Sequence, residues 1–448
     1  MPGLGAEIRA TLALAVPLAA ANLSQMAMGV TDTVMVGRLG AVSLAAVGLG
    51  GGIYFTSVVI CQGVLTAVAP LAAYEIGAGD RDAAGRIAGS ALILAALLAV
   101  PIVAALLMAD RLLDGVGYDP ALARAIGRFL HVIAWGAPGF VAFAVLRSLF
   151  AALGRTGAVM LVLALCVPVN LALNWVLIFG HLGLPPLGVV GSGYASATTE
   201  WLMFIGLAAA LWRLRRQGRA PRLRSGGVAA DIRRILVLGL PIGGLVALEV
   251  GVFVVSAFLM GLFGADALAA HQIAINCASV TFMVPLGIGQ AATVRVAADR
   301  GAGSGRGARQ AAYVALGLGI GFMTLSALAI WTMPGAIIGA YVAVGNPANR
   351  AMVALAGRFL MIAAIFQIAD GVQAVAVGGL RGYEDTAVPM LLAAVGYWGI
   401  GFAGGWALAF RAGLGPIGLW WGFVLGLATV AALLFFRLTR RARQVQVI

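Results

Sequence analysis

Charge is scarce in this sequence, and one kind of it is missing. Only 10% of the 448 residues are charged, 16 are acidic, and all 29 basic residues are arginine, with no lysine anywhere. The three cysteines, Cys61, Cys166 and Cys277, each lie inside an apolar run, which excludes a disulfide framework and a cysteine metal-ligand spacing. His131, His181 and His271 are scattered, and there is no HExxH, GxSxG or Walker loop and no soluble domain to hold a nucleotide, so the chain does not read as an enzyme and calls for no organic cofactor. No small-residue cleavage site follows a short apolar core at the N-terminus. The first apolar stretch runs on to spanning length, so it is expected to stay in the protein as a helix.

What is present in excess is apolar surface. A chain that is 62% hydrophobic, with a mean hydropathy of +1.03, is too apolar for a water-soluble core of this size and reads as an all-α polytopic membrane protein. Stretches long enough to cross a bilayer recur twelve times, near residues 12–36, 46–70, 87–109, 127–150, 158–180, 190–212, 235–262, 270–294, 311–333, 356–378, 388–410 and 415–436. The formal net charge of +13 reflects topology rather than nucleic-acid binding. With the N-terminus inside, 22 arginines fall on the cytoplasmic side and seven on the other, which supports twelve spans with both ends in the cytoplasm. The densest basic block, WRLRRQGRAPRLRSGG from Trp212, carries Pro and Gly and reads as a solvated linker and topology anchor at 213–234.

The halves on either side of that linker, residues 1–212 and 235–448, repeat each other. A shift of 224 residues places Pro17 on Pro241, Gly40 on Gly264, Leu44-Ala45-Ala46 on Leu268-Ala269-Ala270 and Gly63 on Gly287. A shift of 230 places Gly127-Arg128-Phe129-Leu130 on Gly357-Arg358-Phe359-Leu360. Six spans per half is an even number, so the halves enter the membrane in the same orientation, as a parallel repeat of two six-helix lobes. Two-lobed transporters of this kind bind near the midplane and alternate access.

The ionisable chemistry breaks the repeat. Asn22, Gln25, Gly29 and Asp32 fall at i, i+3, i+7 and i+10 and share one face of the first helix. That face cannot look at lipid, because a carboxylate near the bilayer centre costs about 2.5–3.5 kcal/mol even on the lenient insertion scale. Asn170 and Asn174, one turn apart on the fifth span, and Ser192, Ser196 and Glu200, at i, i+4 and i+8 on the sixth, can join Asp32. A carboxylate, amide oxygens and hydroxyls are the hard donors that a dehydrated small cation needs; the same groups also serve as interhelical hydrogen bonds. In the second half, Glu249 and Asp370 are the carboxylates well inside spans. Gln367, Asp370 and Gln373 recur every three residues, and Gln272 and Asn276 lie one turn apart on the eighth span. Removal from water disfavours a charged carboxylate, so such groups are suited to exchange a proton or sodium ion for an organic cation. Phe253, Met260, Phe282, Met283 and Phe366 offer either an adaptable apolar wall or ordinary core. Prolines 17, 138, 168, 241, 285 and 389 lie in or at the ends of spans, each a static kink or a moving hinge.

Four long stretches in order carry a family resemblance: MGVTDTVMVGRLG around Asp32, NLALNWVLIFG from Asn170, HQIAINCASVTFMVPLGIGQAATVRV from His271, and FQIADGVQAVAVGGLRGYEDTAVP from Phe366. In these the chain resembles the multidrug and toxic compound extrusion (MATE) family, NorM-type branch, over nearly its whole length. The resemblance implies a V-shaped pair of six-helix lobes. It also implies secondary antiport of cationic, amphipathic compounds against sodium ions or protons, in a bacterial inner membrane. Asp32, Asn170, Asn174 and Ser196 match the family's N-lobe cation-site pattern, Pro17 its bending proline, and Glu249 and Asp370 the C-lobe acids of the NorM branch; sodium is thus expected at Asp32 or at Glu249 and Asp370. Gln25, Gln272, Asn276, Gln367 and Glu200 are expected in support, Glu200 from its position alone. Phe366 departs from the pattern, since some NorM relatives carry tyrosine there. Small cationic organic substrates and membrane lipids are the expected partners of a monomeric chain. The alternative is a flippase of lipids or lipid-linked sugars from the same superfamily, which would be expected to line its cavity with arginine for diphosphate.

Overall fold

The computed structural model describes residues 3–109, 119–223 and 226–444. Twelve helices among them are long and apolar enough to cross a membrane: α1 (Leu4–Gly37), α2 (Val42–Gly77), α3 (Arg81–Leu107), α4 (Pro120–Ala152), α5 (Thr156–Phe179), α6 (Val189–Arg216), α7 (Val228–Gly261), α8 (Ala265–Gly301), α9 (Gly305–Thr332), α10 (Pro347–Gly382), α11 (Ala387–Arg411) and α12 (Pro416–Gln444). Each of the twelve apolar stretches in the sequence coincides with one of them, five overrunning a helix end by one or two residues, and all regular structure among the described residues is helical. Local chemistry sets the ends. Asp80 caps α3 by accepting from the Ala83 amide at 2.8 Å, Asp119 caps α4 through the Ala121 and Leu122 amides, and Ser304 caps α9 through Gly307. Gly180 ends α5 with φ 76°, the left-handed conformation that glycine reaches without strain. The linker's Arg224 and Ser225 lie outside the described residues.

By contacts the chain forms two compact units, one of Ala20–Gly243 and the other of Met1–Ala19 with Gly244–Ile448. The division therefore does not fall at the linker. The first half of α1 belongs with the C-terminal unit, and the first half of α7 with the N-terminal unit. Small residues and ion pairs explain both memberships. In the C-terminal unit, Gly287 of α8 lies so close to α1 that a Cβ there would stand 2.7 Å from the Ala19 nitrogen, and Arg295 forks onto Glu7 at 2.8 and 2.7 Å. In the N-terminal unit, Gly239 of α7 packs on the Val64 carbonyl and a Cβ at Gly243 would lie 2.9 Å from the Ile60 carbonyl. Arg234 pairs with Glu75 at 2.6 Å, and Ile235, Leu238 and Ile242 enter a core with Val141 and Val145. Ala15 and Ala19 correspond in the repeat to Gly239 and Gly243, so both halves use the same close-packing position. Pro17 and Pro241 are interior to α1 and α7 and sit within two residues of the crossover points.

The C-terminal unit is centred on fully buried aromatics. Trp420 stacks on Phe359 at 5.2 Å and on Phe366 at 5.8 Å, and His271 meets its edge at 5.6 Å. Phe366 and Met260 are thus core and not an adaptable wall.

Candidate functional site

In the N-terminal unit, the face of α1 that carries Asp32 turns toward α5 and α6. Asn174 donates its side-chain N–H to one Asp32 oxygen at 2.6 Å, and Ser196 donates its hydroxyl to the other at 2.7 Å. Asn170, one turn before Asn174, also reaches the carboxylate. Asn174 is steadied by a second bond to the Asn170 carbonyl at 3.0 Å. Asn170, Asn174 and Ser192 are buried, and the Oδ1 atoms of both amides and the Ser192 hydroxyl have no hydrogen-bond partner among the described residues. The donors to Asp32 are neutral, so its charge is not balanced by them. Unused amide oxygens beside a carboxylate are the lone pairs that a bound cation would fill, since a buried acceptor left unpaired costs about 1–3 kcal/mol. The donor set fits sodium, and its single carboxylate also suits a proton.

Glu200 stands one turn after Ser196 on α6, which puts their side chains on one face. Its carboxylate accepts from the Tyr54 hydroxyl of α2 at 2.5 Å. Gly136 of α4 packs directly on that oxygen, where any Cβ would collide with it. No ion pair holds Glu200 among the described residues.

The upper part of the α1 stripe has a different task. Arg147 of α4 is buried and donates to Gln25 at 3.3 Å and, closely, to Asn22. Gln25 therefore serves Arg147 and not the Asp32 oxygens. Arg147, counted above among the topology-setting arginines, is an internal anchor between α4 and α1.

In the C-terminal unit, Glu249 of α7 and Asp370 of α10 are near enough to interact electrostatically, and Tyr397 of α11 feels both. Arg381, two to three turns beyond Asp370 on α10, opposes the charge of Glu249. Neither carboxylate forms a hydrogen bond or close ion pair among the described residues, while Tyr397 and Gln373, both buried, reach one another beside them. Gln367 donates to Thr281 at 2.6 Å and leaves its own Oε1 unpaired. Gln272 and Asn276 are exposed on α8 and form no bond to either acid.

The MatE family model matches residues 17–176 and 241–407, one stretch in each half of the repeat. The "Probable multidrug resistance protein NorM" of Mesorhizobium japonicum is 44% identical over 443 residues, which is 98% of this chain and 94% of that protein. The protein of the same name from Burkholderia mallei is 46% identical over 448 residues, with the same coverage. The chain belongs to the MatE family, in its NorM branch. Solved structures agree on the fold: the eukaryotic MATE transporter AtDTX14 matches with a TM-score of 0.88 at 20% identity over 99% of each chain. An outward-facing multidrug resistance MATE family transporter of the MOP superfamily matches with a TM-score of 0.88 at 20% identity, over 99% of this chain and 97% of that one. This NorM-branch chain is a multi-pass membrane protein and a multidrug efflux transporter by family. Tyr54 and Tyr397 are the polar residues at its two acid sites that the sequence does not mark. Each sits within an apolar run, and only its intramembrane position hints at a role.

Proposed function

We propose that this NorM-branch transporter exports cationic amphipathic compounds in exchange for sodium ions or protons by alternating access, with Asp32, Asn170, Asn174 and Ser196 as the coupling-ion site. The observation that carries the proposal is the pair of buried, unpartnered Oδ1 atoms of Asn170 and Asn174 beside a carboxylate bonded by neutral donors. A cation arriving there replaces a proton or fills vacant lone pairs without leaving a second charge unbalanced. Glu249 and Asp370 form the C-terminal acid pair that takes the substrate cation or a second coupling ion, with Gln367 and Gln373 as adjoining amides; Glu200 adjoins the first site. Pro17 supplies a bend in α1. The protein acts as a monomer in the bacterial cytoplasmic membrane with both termini in the cytoplasm, an orientation that the arginine distribution supports. Buried acids favour cationic cargo over the diphosphate of a lipid-linked sugar.

The test is efflux of a cationic dye from proteoliposomes under separately imposed sodium and proton gradients. Efflux driven by one gradient and absent without either is the expected result. Efflux indifferent to both gradients overturns ion coupling, and transport of a lipid-linked sugar with no dye efflux overturns the substrate class.

A further inference from the structure

The C-terminal unit carries a cavity of about 530 Å³ at the beginning of α9, against the first two turns of α1. One wall is a single helical face: Arg306, Arg309, Gln310 and Tyr313 follow at spacings of three, four and seven. The other wall is Leu4 and Ile8, one turn apart on α1. No acid lines the cavity among the described residues. Glu7, the acid next to Ile8, is engaged by Arg295 through two short bonds, which also fixes the α1 wall in place.

The lining changes character along the helix. Arg306 and Arg309 lie in the first two turns of α9, whereas Val314, Gly317 and Leu318 continue the groove one to three turns further into the span. Gly317 leaves the inner end open, since a Cβ there would meet nothing within 4 Å. A polar, doubly basic mouth at a helix start and an apolar trough running toward the bilayer interior match the two ends of one kind of molecule. Guanidinium groups bind phosphate oxygens in forked hydrogen bonds, and basic pockets between spanning helices take anionic lipid headgroups. Free anions would fill only the mouth. The trough is an apolar surface of the length of an acyl chain's first carbons, in a segment that a membrane surrounds.

We propose that this groove is a binding site for an anionic phospholipid, whose phosphodiester is held by Arg306 and Arg309 with Gln310 and Tyr313, and whose acyl chain lies along Gly317 and Leu318. The lipid joins the first half of α1 to α9 and so braces the segment that the C-terminal unit takes from the start of the chain. The site is separate from the acids that handle cations, so it stands or falls independently of the transported substrate.

The experiment uses the purified full-length chain, stripped of lipid in detergent, with native mass spectrometry and thermal unfolding as readouts. Phosphatidylglycerol, phosphatidylcholine and glycerol 3-phosphate are added separately. Phosphatidylglycerol is expected to bind and raise the melting temperature, and the other two to do neither. The R306Q/R309Q variant is expected to lose roughly thirtyfold in phosphatidylglycerol affinity, the value of two arginine contacts near a membrane surface. Because Gly317 faces open space, G317L is expected to keep the melting temperature of the lipid-free protein and to lose phosphatidylglycerol binding by filling the trough. Equal stabilisation by glycerol 3-phosphate, equal binding of phosphatidylcholine, or undiminished phosphatidylglycerol binding in either variant overturns the proposal.

Discussion

Ser196 and Glu200, one turn apart on α6, each hold a carboxyl group: Ser196 donates to Asp32 at 2.7 Å, and Glu200 receives the Tyr54 hydroxyl at 2.5 Å. One helix face thus links two acids that are both bonded by neutral groups. Neutral donors stabilise a carboxylate without cancelling its charge, which leaves each acid able to exchange a proton or metal cation.

We predict that Asp32→Asn reduces ion-coupled efflux to background with expression and melting temperature preserved. The amide keeps the shape of the carboxylate and can still accept from Ser196, but it can neither titrate nor supply charge to a cation. Efflux from proteoliposomes and melting in detergent check this together. Wild-type efflux from the variant would sink the assignment of Asp32.

The neighbouring acid gives a graded test. Glu200→Gln keeps an acceptor for Tyr54, so the fold should hold, while the ion concentration for half-maximal efflux should shift. Tyr54→Phe leaves a buried carboxyl without its donor and should cost about 1–3 kcal/mol. If Glu200→Gln leaves the ion dependence untouched, Glu200 is a packing residue.

Much of this arrangement was legible before any coordinates. The spans follow from apolar runs, and Asp32, Asn170, Asn174 and Ser196 come together because their spacings put them on single helix faces that must avoid lipid. Helix rotation against a neighbour was not legible. Gln272 and Asn276 have the same one-turn spacing as Asn170 and Asn174, yet α8 turns them to an exposed face. Tyr54 meets Glu200 across 146 residues of sequence, and nothing local in LGGGIYFT marks it. Arg147 looked like a topology charge because it stands near the end of an apolar run; its role depends on α4 facing Asn22. The repeat predicted equivalent halves but not that α1 and α7 would each pack their first turns in the other half's unit, which depends on small residues at Gly287, Gly239 and Gly243.

Gly136 should tolerate no side chain. A Cβ there would strike a Glu200 oxygen and lie 2.8 Å from the Ala197 Cα; Glu200 can swing away, but the α6 backbone cannot move without disturbing Ser196. Gly136→Ala is predicted to destabilise the protein by about 1–3 kcal/mol, in the range of overpacked cores, and to weaken ion dependence along with it. Unchanged melting together with unchanged ion dependence would show that α4 and α6 have more room than the structure gives them.

In the C-terminal unit, Glu249→Gln and Asp370→Asn are each predicted to slow efflux, and together to stop it while the fold holds. Amides remove the mutual repulsion of two neighbouring carboxylates, so melting should not fall. Cation-coupled efflux that survives the double substitution would make the pair structural.

The last prediction concerns what drives export. Moving one charge through about 100 mV is worth about 2.3 kcal/mol, but a monovalent drug leaving as one sodium ion or proton enters moves no net charge. Such an exchange draws only on the ion's chemical gradient, about 1.4 kcal/mol per tenfold difference. A second coupling ion adds both contributions. The chain has acids for it, since Asp32 and Glu200 lie in the N-terminal unit and Glu249 with Asp370 in the C-terminal unit. Efflux of a monovalent cation is therefore expected to be electrogenic and to accelerate when valinomycin sets an inside-negative potential at constant ion gradients. Glu200→Gln should reduce that acceleration if Glu200 carries part of the second charge, and Glu249→Gln or Asp370→Asn alone, each of which only slows efflux, should reduce it if the C-terminal pair carries it. Potential-independent efflux from the wild-type protein would mean that one acid site alone couples to ions, and that the exchange is electrically neutral.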